Sequence, residues 1–331
     1  MSVTRQLFGT YKAAPVYRYI IENRRHSKLC VLSYGATWQD FQVQVKGTTQ
    51  SLIEHFDSFS EYLQNPYQNG KTVGPVAGRI GGAQFNLGAQ TFKLPANDQG
   101  NLIHSGDHGL QTQNFTGTFE ATSNKVTFVQ KMTPEIDNFP SNLEVTVTYQ
   151  LSDNDEIIVT YTGCSDAETL FNPTSHVYFK LTDDFGAQQL QINSDQVVAV
   201  DHQKVPTGEF LPVNAGYDFR QPKTLAQGLA DLQAATGHLE FDDTYLLQPG
   251  VKAATLCTDQ HGVDLYSDRN GLVIFTANTK NVAQADQHQY SALAMELQTL
   301  PDAINHGGFG EIRLSKAKPV TYTNRYVYWQ R

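Results

Sequence analysis

The chain has 331 residues, with 24 Lys and Arg against 33 Asp and Glu for a net charge of −9. Apolar residues at 40%, together with 25 glycines, bring the total to about 48%, an ordinary globular share that argues against disorder. No basic run offers phosphates a field, so nucleic acid is not an expected partner. No stretch approaches the ~18 unbroken apolar residues of a membrane helix. The opening residues lack the apolar core of a signal peptide. Cys30, Cys164 and Cys257 are odd in number, far apart and without a CxxC spacing, so neither a disulfide framework nor a zinc site is expected. A cytoplasmic setting follows, and the Asn114-Phe115-Thr116 pattern then reads as a chance match to a glycosylation site. Charged residues are only 17%, below the typical ~25%. Uncharged polar side chains must supply much of the surface, which suits neutral, hydroxyl-rich ligands.

The period is two almost throughout. Residues 16–21 and 29–34 predict a hairpin around Asn23-Arg24-Arg25. Residues 57–63 predict one or two helical turns capped by Asp57 or Ser58. Residues 115–121 and 125–131 predict a second hairpin around Ser123-Asn124. Across 143–151 every odd position is apolar and every even one polar, as in a half-buried strand. Residues 152–156 read as a turn, and 157–162 as the returning strand. In 224–235, Leu225, Leu229 and Leu232 share one helical face, with Gly237 as the stop. The β-branched and aromatic run at 320–329 is expected to close a sheet edge. No alternation of strands with long helices appears, which disfavours doubly wound and barrel α/β folds. With no linker or internal repeat, residues 1–331 are read as one all-β domain of large packed antiparallel sheets with few short helices.

Polar residues set into apolar segments carry the chemical information. Arg79 sits in the glycine-rich run 74–82, which is either a turn with a surface Arg or a place where a ligand meets backbone and guanidinium. It is not a phosphate loop, for no Gly-Lys-Ser/Thr follows. His104, after Leu102-Ile103, stands where a strand end opens into a small-residue loop. With His108 it has the i, i+4 spacing of a metal pair, but Ser105-Gly106 between them disfavour a helix. His176 lies among aromatic and β-branched neighbours, either as a satisfied core residue or as a tunable proton carrier. Glu296, between Met295 and Leu297, is either functional or on the polar face of an edge strand. Asp242 and Asp243 are adjacent carboxylates, a turn or a pair whose repulsion raises one pKa.

In this order, Arg79, His104, Asn172-Pro173-Thr174-Ser175-His176, Phe241-Asp242 and Glu296-Leu297-Gln298-Thr299-Leu300-Pro301-Asp302 resemble the aldose 1-epimerase (galactose mutarotase) family. The likeness runs from Tyr34-Gly35-Ala36 to the last strand. It implies a single-domain β-supersandwich, no cofactor or metal, and a small-molecule sugar as partner, and leaves the oligomeric state open. It also implies His176 as general acid, Glu296 as general base, and Arg79, His104 and Asp242 as contacts to the sugar. In that scheme Glu296 is ionised and His176 protonated at rest. The substrate implied is a free aldohexose such as galactose or glucose, with a reducing disaccharide as the alternative. Gly78, Ser175, Val177, Lys180 and Asp243 depart from the family pattern around the pocket. They leave room for a sugar-binding or sensing protein without turnover. A glycoside hydrolase using Asp242 and Glu296 is the remaining alternative.

Overall fold

The computed structural model describes all residues from Met1 to Arg331. Strands that alternate apolar and polar side chains have one face to bury, and stacking sheets buries it. Three large antiparallel sheets result, with four two-stranded ones beside them. The first sheet has five strands in sequential order, from Ser2–Tyr11 to Thr48–Ser51. The second has nine and includes Lys125–Met132, Leu143–Leu151 and Glu156–Ser165 side by side. The third has six, in the order Tyr178–Phe179, Ala292–Gln298, Gly271–Ala277, Asp242–Leu246, Gln196–Val200 and Pro206–Pro212. One core of 51 buried residues takes side chains from all three, among them Trp38, Tyr149 and Met295. No helix is long and apolar enough to cross a membrane.

The three expected hairpins form, with Leu143–Leu151 paired to Glu156–Ser165. The short helix Phe59–Gln64 takes Ser58 as its cap, and the Ser58 backbone N–H donates to the Glu61 carboxylate at 3.1 Å. The helix Leu225–Thr236 starts on Thr224, whose hydroxyl accepts from the Gln227 N–H at 3.2 Å, and stops at Gly237 with φ +81°.

Two placements differ from expectation. Val320–Gln330 is not an edge strand, for it pairs with Glu156–Ser165 on one side and His261–Ser267 on the other. A β-branched, aromatic run looks the same at an edge or a centre, because its neighbours come from distant sequence. Glu296 is likewise not on an edge. Ala292–Gln298 is paired on both sides and buried throughout.

Candidate active site

The six-stranded sheet has two faces with opposite roles. Alternate residues of a strand point to opposite sides, so Leu293, Met295 and Leu297 enter the core while Glu296 and Gln298 line a cavity of about 500 Å³. In register across the neighbouring strands, Glu296 stands opposite Val273, which stands opposite Thr244. One row further along, Asp242 stands opposite Phe275. All four of these neighbours line the same cavity. The sheet is the floor, and the short strand Arg79–Ile80 together with loops carrying Tyr67, His104, Asp107 and Lys204 forms the walls.

His176 reaches this floor from the segment between Thr174–Ser175 and Tyr178–Phe179. Its backbone is fixed on both sides: its N–H donates to the Lys71 carbonyl at 2.9 Å, and its carbonyl accepts from the Gly70 N–H at 2.8 Å. The ring stacks on Tyr178 with centroids 5.1 Å apart and meets the His104 ring edge-on at 5.4 Å. Its Nε2 lies 3.3 Å from Glu296 Oε1, and both side chains are buried. Burial pushes the His176 pKa well below 6.5, helped by His104, and pushes Glu296 up to about 8, helped by the negative charge of Asp242. Burial thus works against the charged form of each partner, and so against the expected ion pair of protonated His176 and ionised Glu296, whose mutual attraction at 3.3 Å favours it.

His104 owes its pose to a left-handed turn, with φ +51° at His104 and +62° at Ser105. Its N–H donates to the Gly78 carbonyl at 3.0 Å, and the Gly78 N–H donates to its Nδ1 at 3.2 Å. Nδ1 is thus the acceptor nitrogen, which leaves Nε2 as the donor of the neutral ring. Burial and the Arg79 charge lower the His104 pKa to about 4, so the ring is neutral at physiological pH. The turn is not helical, and His108 is exposed and off the cavity wall. No cluster of three or more His, Cys, Asp or Glu is arranged to hold a metal. Arg79 donates from Nε to Asp98 at 2.7 Å and holds Nη1 3.9 Å from Asp242. All five residues singled out from the sequence thus share one wall-and-floor arrangement. Asp243, by contrast, does not line the cavity.

Two buried cations were not legible in the sequence. Lys71 stands over the Tyr34 ring at 5.5 Å and donates to Gln68 at 3.1 Å, and burial lowers its pKa to about 8. Arg269 lies in Ser267-Asp268-Arg269-Asn270-Gly271, which reads as an exposed turn, yet it is buried between the rings of Tyr161 and Tyr322. It donates to the Pro173 carbonyl at 2.5 Å, to the Leu297 carbonyl at 2.6 Å and to Asn172 at 3.3 Å. Asn172 in turn accepts from the Thr299 N–H at 2.9 Å. These bonds tie the segment ahead of His176 to the strand that carries Glu296.

The aldose 1-epimerase family model matches residues 17–327. The chain belongs to the aldose 1-epimerase family. It is 42% identical to the maltose epimerase of Levilactobacillus brevis and 33% identical to an aldose 1-epimerase of Streptococcus thermophilus, each over 99% of both chains. Among solved structures, a galactose 1-epimerase from Lactobacillus acidophilus superposes with a TM-score of 0.87 at 23% identity, covering 100% of this chain and 99% of that one. Members of this family are isomerases, and the chain is one. Of the five departures from the family pattern, only Gly78 lines the cavity. Its φ is +74°, and a Cβ there would stand 2.7 Å from the Pro301 Cβ, so a side chain at this position has no room. Ser175 is held by the hydroxyls of Tyr149 and Tyr161 at 3.0 and 2.7 Å, Val177 belongs to the core, and Lys180 pairs with Asp183 at 3.0 Å.

Proposed function

We propose that His176 and Glu296 interconvert the α and β anomers of an aldohexose with a free reducing end, and that Arg79, His104 and Asp242 hold its hydroxyls. The buried contact at 3.3 Å between His176 and Glu296, on the floor of a sugar-sized cavity, carries this reading. Glu296 takes the proton of the C1 hydroxyl while His176 gives one to the ring oxygen. The bond from C1 to the ring oxygen breaks as the C1 carbonyl forms, C1 turns about its bond to C2, and the reverse transfers close the ring on the other face. The pair needs one shared proton. Burial keeps it on Glu296, and a sugar hydroxyl donating to the carboxylate favours its place on His176. Retention of this acid/base pair speaks against a pure sugar-binding protein. The three cysteines are free, in keeping with a reducing cytoplasm, and the chain is taken to act as one domain.

Within this reading we favour a reducing disaccharide, maltose first, over a free hexose alone. One hexose displaces roughly six waters, about 180 Å³ at about 30 Å³ each, whereas the cavity holds about 500 Å³ and reaches a rim with exposed Pro66, Asn97 and Asp107. The relative from Levilactobacillus brevis supports the same choice. Polarimetry on freshly dissolved α-maltose, α-glucose and α-galactose should give a kcat/KM for maltose at least equal to that for glucose. Acceleration of the hexoses without maltose would return the assignment to a monosaccharide.

The pH profile tests the shared proton. kcat/KM should hold through neutrality and fall as pH rises through about 8, where the raised Glu296 carboxyl loses the last proton of the pair. Asp242→Asn removes a negative neighbour that raises Glu296, so the alkaline limb should move to lower pH. A limb that stays in place would separate Asp242 from the proton chemistry.

A further inference from the structure

Gln298 is fully buried, and neither its amide nitrogen nor its carbonyl oxygen has a hydrogen-bond partner in the protein. Such an amide is unusual, because buried polar groups are almost always paired. It lies two residues after Glu296 on the same strand, hence on the same face, and it lines the cavity. The residue opposite it in register is Gly271, which offers no side chain. On the other side is Gly78, where a Cβ would stand 3.3 Å from the Gln298 Nε2. Two glycines thus flank the amide, and the sheet places it one row away from the reacting pair. A primary amide offers donors and an acceptor from one planar group, which matches a ring hydroxyl that both accepts and donates.

We propose that Gln298 is a substrate-reading residue whose amide hydrogen-bonds a hydroxyl of the aldose ring away from C1. This rests on the reading that the sugar binds in this cavity, and it adds to Arg79, His104 and Asp242 a contact from the strand that carries Glu296. The variant is Gln298→Met, close in size and unable to hydrogen-bond. Full-length wild type and variant are compared on fresh α-glucose and its monodeoxy analogues, with kcat and KM separated. Wild type should discriminate against one analogue by about tenfold or more, the factor that loss of one buried hydrogen-bond partner commands. Gln298→Met should lose a similar factor on glucose, mainly through KM, and should no longer distinguish glucose from that analogue. Ratios between sugars do not depend on how much of a preparation is folded, and Gln298→Leu gives the same ratio if Met is poorly tolerated. An equal loss on every sugar, no loss at all, or a wild type indifferent to every analogue would each overturn the proposal. Wild-type activity in Glu296→Gln would instead sink the underlying reading of the site.

Discussion

Glu296→Gln and His176→Asn should each lower kcat for anomer interconversion by about 10³-fold, within the ~10²–10⁴ that one positioned proton transfer contributes. Glu296→Gln keeps the size of the side chain, His176→Asn leaves a smaller polar one without the ring, and both remove the ability to move a proton. The strand that carries Glu296 is paired on both sides, and His176 is anchored by its backbone to Gly70 and Lys71. The fold should therefore survive, and thermal melting should stay near that of wild type. Because the two side chains share a proton, the double variant should be little worse than either single one, as expected for groups that act as a unit. Polarimetry after dissolving an α-anomer, corrected for the spontaneous rate, reads all three. Wild-type rates in both single variants would remove the pair from the mechanism, whatever their contact distance.

The parts of this site visible in the sequence share a property: each is a polar residue set in a segment whose period is otherwise plain. Glu296 interrupts an apolar run, and the same alternation that makes it conspicuous aims it away from Met295 and Leu297 and into the cavity. Asp242 and Asp243 are equivalent as letters, and only the strand's pleat separates them. The structure puts Asp242 on the cavity floor and gives Asp243 a pKa raised to about 6, chiefly by burial. How far burial works against the charged forms of His176 and Glu296 was not legible, because it depends on how much water the floor and walls of the cavity exclude. The central position of Val320–Gln330 was hidden for a similar reason, since both its neighbours are remote in the chain. Gln298 belongs to the Glu296–Asp302 motif but has no chemical signal of its own in the sequence. Its significance lies in missing partners, which only the packed structure reveals.

Arg269 is the strongest case of a residue whose role exists only in three dimensions, and Arg269→Met should be the most destabilising of these substitutions. A buried cation without a carboxylate is tolerated here because aromatic faces lie 4.9 and 5.5 Å from the guanidinium carbon and carbonyl oxygens take its protons. Methionine fills much of the space and removes the cost of burying the charge. It also leaves the Pro173 carbonyl without the donor it has now, whereas the Leu297 carbonyl keeps the Thr174 hydroxyl at 2.8 Å and the Asn324 amide at 2.9 Å. One orphaned acceptor, a weakened Asn172 link and lost aromatic contacts give a net loss of about 2–4 kcal/mol. It should appear as a lower denaturant midpoint with an unchanged slope. The catalytic consequence is separate. Pro173 is three residues before His176, so loosening it lets the imidazole drift from Glu296, and a misplacement of ~1 Å costs ~10²-fold in rate. Arg269→Lys keeps the charge but not the fork. It should recover part of the stability and less of kcat, because one ammonium cannot bridge Pro173 and Leu297 with the same rigidity. If Arg269→Met melts like wild type and turns over at its rate, the tie between the two segments is incidental, and the spacing of the pair must be set by Asn172 and Thr174 alone.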